Sequence, residues 1–195
     1  MNCRAFRFLF GIWLLSAVSA SSQKRSDATA ILAELQKVGF DASWSEKQKS
    51  FGMATAGPIA DERRAATVVN SLKRYGPIGG FYATAELKSP SPEFFEALEE
   101  LSDVSELVIG GINDRRVVRA LRRFPNAKYV GLIESWMTID SLPAFPKCTR
   151  FKSTMPMTAN AIRHLTSMKR LEELKITIAP EVSVAALAKL KELKA

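Results

Sequence analysis

The sequence predicts an α/β fold: a curved parallel sheet with helices on its convex side, built as a solenoid of irregular repeats. Three observations predict it. First, one frame of hydrophobes returns along the chain, a hydrophobic residue at every third position and a last one two positions on. It reads Leu98, Leu101, Val104, Leu107, Ile109 in one copy and Leu165, Met168, Leu171, Leu174, Ile176 in another. Weaker copies are Leu72, Tyr75, Ile78, Phe81, Ala83, then Leu121, Phe124, Ala127, Val130, Leu132, then Leu142, Phe145, Cys148, Phe151, Ser153. Second, the last two positions of each copy read as a strand and the stretch before them as a helix. Each unit therefore has an apolar face that only a neighbouring unit can bury. Third, 47% hydrophobic and 25% charged residues is the balance of a folded chain. Its 195 residues allow one elongated array.

Residues 1–20 read as a signal peptide. Arg4 and Arg7 give a basic start, Phe8 to Val18 form an uncharged apolar run, and Val18-Ser19-Ala20 places a cleavage site after Ala20. The run is shorter than the roughly 20 residues that cross a bilayer. A retained anchor is the lesser alternative. The mature protein is then secreted or periplasmic, with no transmembrane segment.

Residues 21–60 read as an N-terminal lead and capping helix with a degenerate first strand, and residues 61–195 as the repeat array. Ser21 to Arg25 forms the lead. Asp27 stands as the N-cap of a helix reaching Val38, with Ile31, Leu32, Leu35 and Val38 on one face and Gly39 at its end. Residues 40–49 carry no clear pattern, and Ser50 to Ala54 alternate as the first strand. Later strands carry the pairs Phe81 and Ala83, Leu107 and Ile109, Val130 and Leu132, Phe151 and Ser153, Leu174 and Ile176. Asp61, Ser91, Asp114, Thr158 and Ser183 stand where helices begin, Ser91 with Pro92 behind it. Pro143 and Pro146 leave no room for a full helix between residues 138 and 146. A last copy starts at Leu187, Leu190, Leu193, and an uncovered strand edge there would leave homodimerisation open.

Leu171-Glu172-Glu173-Leu174-Lys175-Ile176 and Val104-Ser105-Glu106-Leu107-Val108-Ile109 resemble the L-x-x-L-x-L core of leucine-rich repeat proteins. Ile162-Arg163-His164-Leu165 and Phe95-Glu96-Ala97-Leu98 resemble the helix segments of the ribonuclease-inhibitor-like and cysteine-containing varieties. The likeness spans roughly Asp61 to Ala195 and is nearest to short exported bacterial members. It departs where that family places Asn or Cys in the turn: Glu86, Ile112, Ser135, Pro156 and Ala179 stand there. The resemblance implies protein or ligand binding on the concave sheet, with no catalytic residues to carry over.

Residues between the paired hydrophobes project from that face: Gly52, Tyr82, Val108, Gly131, Lys152 and Lys175, flanked by Tyr129, Ile133, Arg150 and Glu173. Tyr82, Val108, Tyr129 and Ile133 would supply apolar contacts to an unidentified protein partner, and Arg150, Lys152 and Lys175 charge complementarity. The net charge is +8, of which Arg4 and Arg7 leave with the signal peptide. The alternative reading is a binder of an anionic polymer or envelope component through Arg115, Arg116, Arg119, Arg122 and Arg123 on one helix. Export, and the lack of aromatic residues among these arginines, disfavours nucleic acid.

Enzyme chemistry finds no support. His164 is the only histidine, which excludes a His-based metal cluster. No nucleophile elbow is present. Gly79-Gly80 and Gly110-Gly111 lack a phosphate-binding signature. Glu99-Glu100 and Glu172-Glu173 are adjacent and do not share a face. Cleavage would leave Cys148 as the single cysteine, too few for a disulfide and placed in an apolar slot of the frame. No cofactor and no metal are expected.

Overall fold

The computed structural model describes residues 22–56, 59–83, 90–133 and 137–182. Helix α1 (Ser22–Lys37) ends at Gly39, whose φ of 90° turns the chain into strand β1 (Phe40–Ser45). Strand β2 (Ser50–Thr55) returns antiparallel beside β1, with Lys49 at φ 53° closing the hairpin. Then come α2 (Glu62–Leu72), β3 (Ile78–Ala83), α3 (Pro92–Ala97), β4 (Glu106–Gly110) and α4 (Arg115–Ala120), which runs into a 3-10 turn (Leu121–Arg123). Strands β5 (Tyr129–Ile133) and β6 (Arg150–Met157), helix α5 (Ala159–Leu165) and strand β7 (Glu173–Ile178) complete the described order.

The fold is mixed α/β. All seven strands form one sheet in chain order, antiparallel between β1 and β2 and parallel from β2 to β7. Leu107 pairs with Val130, Val130 with Phe151 and Phe151 with Leu174, so the first hydrophobe of each strand pair lies beside its counterparts. The entries to β5, β6 and β7 are each tied to the entry before by main-chain bonds of the same form. The carbonyl of Ser105 accepts from the amides of Lys128 and Tyr129, that of Lys128 from Thr149 and Arg150, and that of Thr149 from Glu172 and Glu173. These bonds satisfy backbone groups that leave the ladder at the turns.

One face of the sheet and the inner sides of the helices bury a continuous core. Its centre is aromatic: Phe81 stands 5.4–6.2 Å from the ring centres of Phe40, Phe94, Phe95 and Phe124, all fully buried. Asp61, Ser91, Asp114 and Thr158 each cap the helix that follows, their side chains accepting from Arg64, Glu93, Arg116 and Ala161 amides. Between β5 and β6 no helix occurs among the described residues, as the two prolines require. Ser153 takes a hydrophobe's slot at no polar cost, because its hydroxyl exchanges 3.1 Å bonds with the Met155 amide and carbonyl.

Several expectations are corrected. The first helix begins at Ser22, so Asp27 lies inside it and no separate lead follows Ser21. Residues 40–49 form a strand and a hairpin turn. Phe40, Ala42 and Trp44 do alternate inward there, but the small Ala42 weakens the signal. Helix α3 ends at Ala97, and Leu98 is already extended (ψ 137°). Leu98, Leu101 and Val104 reach the core from non-helical chain. Ser183 and the last hydrophobic copy lie outside the described residues, as do Glu86, Ser135 and the proposed signal peptide.

Candidate functional site

The face of the sheet turned away from the helices carries every alternate strand residue. Register sets two neighbouring rows on it. Tyr82, Val108, Gly131, Lys152 and Lys175 form one, and Gly80, Glu106, Tyr129, Arg150 and Glu173 the other. Ile133 lies one step further along β5, beside Gly110. Tyr82, Val108, Tyr129, Ile133, Arg150, Lys152 and Lys175 thus share one surface, drawn from strands up to 93 residues apart in sequence.

Local chemistry fixes the two tyrosines. Gly80 has no side chain, and a Cβ there would stand 2.8 Å from the Tyr82 ring, so glycine lets that ring lie back along its own strand. The Tyr82 hydroxyl donates to the Glu106 carboxylate on the next strand. Burial first, then that carboxylate, pushes the phenol well above its ordinary range and keeps it neutral. Tyr129 lies the other way along β5, its hydroxyl 3.3 Å from where a Gly131 Cβ would be. The Arg150 guanidinium caps the Tyr129 ring at 4.9 Å, a cation–π contact. Beyond it, Lys175 pairs with Glu173 at 3.0 Å and holds that carboxyl below the usual range.

The sequence marks Glu106 only as part of a hydrophobic repeat copy, and Gly80 only as half of a glycine pair without a phosphate-binding signature. Glu106 shows its role only once β3 and β4 pair, 24 residues apart. Gly80 is legible only beside Tyr82, two positions on in the same strand.

A second charged surface lies on the helix layer. Arg116 is bound on both sides, to Glu93 at 2.9 Å and Asp114 at 3.0 Å, and Arg123 donates to the Glu96 carbonyl at 3.2 Å. Arg115, Arg119 and Arg122 are exposed and have no hydrogen-bond or ion-pair partner among the described residues. Arg116, Arg119, Arg122 and Arg123 line, with Glu96 and Ala120, a shallow depression of about 230 Å³.

Chemistry has little foothold elsewhere. Cys148 is fully buried and its thiol is pushed up to about 11 by burial. His164 is exposed near the end of α5. Among the described residues no three His, Cys, Asp or Glu side chains are grouped to hold a metal ion, and no helix is long and apolar enough to cross a membrane.

A family profile described as SPOR domain matches residues 17–83, roughly a third of the chain and the part that holds α1, the β1–β2 hairpin, α2 and β3. No curated protein and no solved structure matches the chain. SPOR domains are non-catalytic, bind septal peptidoglycan and act in the periplasm or cell envelope. The match assigns no catalytic role to residues 17–83.

This match corrects the leucine-rich repeat assignment and, with it, the reading of a repeat protein that binds a protein partner on a concave sheet. No leucine-rich repeat match supports either. The physical reason lies in the frame itself. Alternate hydrophobes on a strand, followed by hydrophobes at helical spacing, are what any parallel sheet with helices on one face needs. The pattern reports the layer arrangement and not the family.

Proposed function

We propose that this chain binds peptidoglycan in the cell envelope without catalysing a reaction, and that the open face of the sheet holds the polymer. The match of residues 17–83 to a SPOR domain carries this reading. The matched segment ends in β3, so Tyr82 sits at its edge, and the same face continues without a break through β4 to β7. A glycan strand offers flat sugar faces edged by hydroxyl, amide and carboxyl groups. Half-buried tyrosines on β3 and β5, either side of β4, present rigid aromatic surface at little entropic cost. Tyr82, Val108, Tyr129 and Ile133 would take the sugar faces, and Arg150, Lys152 and Lys175 the acidic substituents.

A signal peptide at residues 1–20, with its apolar run from Phe8 to Val18 and cleavage after Ala20, would deliver the protein to that compartment. In this reading residues 21–60 and 61–195 remain distinct in sequence style and act on one ligand. Arg115, Arg119 and Arg122 on the helix layer, exposed and without a hydrogen bond or ion pair among the described residues, favour a second contact, with another anionic component of the envelope.

Co-sedimentation of the full chain with purified, insoluble peptidoglycan tests the proposal. The protein should pellet with the polymer, and Tyr82→Ala with Tyr129→Ala should weaken pelleting about tenfold or more, the loss of roughly 1.4 kcal/mol or above. Protein that stays in the supernatant at every polymer concentration would overturn the reading.

A further inference from the structure

We infer that Lys152 and Lys175 form a carboxylate-reading site at the β6–β7 end of the sheet face. The inference rests on the peptidoglycan reading above and assigns to these two residues the recognition of that polymer's carboxyl groups.

The register makes Lys152 and Lys175 direct neighbours on adjacent parallel strands, about 4.8 Å apart at the backbone. Like charges facing each other across a sheet repel, so this pairing costs stability unless another group offsets it. Nearby compensation is incomplete. Glu173 pairs with Lys175, whose side chain remains 70% exposed. Lys152 is exposed and has no ion-pair or hydrogen-bond partner among the described residues. Arg150 is stacked on Tyr129. Three cations therefore surround one carboxylate on a small area of rigid strand. An anion seated between the two ammonium groups relieves the repulsion.

The position suits a carboxylate carried by a sugar chain. Tyr129 lies along β5 with its hydroxyl over Gly131, and Gly131 is the residue paired with Lys152. A sugar ring lying over Gly131 against the hydroxyl end of Tyr129, whose ring face Arg150 covers, would hold its substituents against Lys152 and Lys175. Two ammonium groups on flexible stems can follow a mobile carboxylate, which a rigid guanidinium fork would not.

The same carboxylate chemistry has two sources in the polymer, the peptide stems and the sugar itself once a stem is removed. The test compares the full chain with the Lys152→Gln, Lys175→Gln double variant on three polymers. These are native peptidoglycan, peptidoglycan whose carboxyls are converted to amides with carbodiimide and ammonia, and peptidoglycan stripped of stems by an amidase.

The wild-type chain should lose about tenfold in binding when the carboxyls are amidated. The double variant should start about tenfold weaker and lose nothing more. Lys152→Arg with Lys175→Arg should retain partial, amidation-sensitive binding. Dependence on the two lysines that persists on stripped polymer places the carboxylate on the sugar; dependence that vanishes there places it on the stem. A double variant that binds like wild type, or wild-type binding indifferent to amidation, overturns this inference alone. A wild-type chain that binds none of the polymers overturns both it and the peptidoglycan reading. Both lysines are exposed, so the variants should fold, as unchanged thermal unfolding would show.

Discussion

Cys148 illustrates how burial alone sets the chemistry of a side chain. It occupies the slot that valine or alanine takes in other copies of the frame, packs fully buried, and donates weakly from Sγ to the Arg150 carbonyl at 3.3 Å. Desolvation lifts its thiol from an ordinary 9.0 to about 11. The native protein should therefore resist alkylation by iodoacetamide at Cys148 at pH 8, and denaturant should expose it; peptide mapping by mass spectrometry reads this site apart from Cys3. A pKa raised on folding also means stability that is full below pH 9 and lost as pH climbs towards 11. Rapid native-state labelling of Cys148 would contradict the packing. This residue was legible in the sequence because its slot repeats. Tyr82 was legible as exposed, but its bond to Glu106 was not, since nothing local relates residues 24 apart.

Caps and prolines are the element-scale signals that survive translation from sequence to structure. Asp61, Ser91, Asp114 and Thr158 were all readable because an N-cap is local chemistry: an oxygen within reach of the amides two or three residues on. Thr158 does more than cap. Its hydroxyl accepts from the Ala161 amide at 3.3 Å and donates to Asp140 at 2.9 Å, and Asn160 donates to the Asp140 carbonyl. It therefore pins α5 to the helix-free stretch before β6. Thr158→Ala should cost about 1 kcal/mol, while Thr158→Ser, which keeps the hydroxyl, should cost less; urea unfolding midpoints measure the difference. Equal losses for the two would show that the methyl group, not the hydroxyl, matters there. Strand β1 escaped notice for the converse reason. Its inward residues Phe40, Ala42 and Trp44 do alternate with Asp41 and Ser43, but the small Ala42 leaves the alternation faint until the pairing with β2 is seen.

At the scale of the molecule, the match to a SPOR domain stops at residue 83, but the packing does not. Phe40 and Phe81, inside the match, share one aromatic cluster with Phe94, Phe95 and Phe124, outside it. Strand β3 pairs with β2 on one side and β4 on the other, and α2 reaches across through Asn70, which bonds the Ala97 carbonyl and the Glu99 amide. Such a boundary is invisible to a hydrophobic frame, which recurs on both sides of it and reports only that a helix-covered sheet is present. It is equally absent from the core. Heat should therefore unfold the protein in one cooperative transition, with calorimetric and van't Hoff enthalpies equal. Phe124→Ala, 41 residues beyond the end of the match, should cost about 3–5 kcal/mol and lower that single transition as a whole. Loss of the Asn70 contacts should lower the same transition by less, since those bonds lie at the surface. Two separate transitions, only the later-melting one of which kept its midpoint in Phe124→Ala, would mean that residues up to 83 fold on their own and that the aromatic cluster merely joins two bodies. In that case the face that Tyr82 shares with Tyr129 would not be rigid across the boundary.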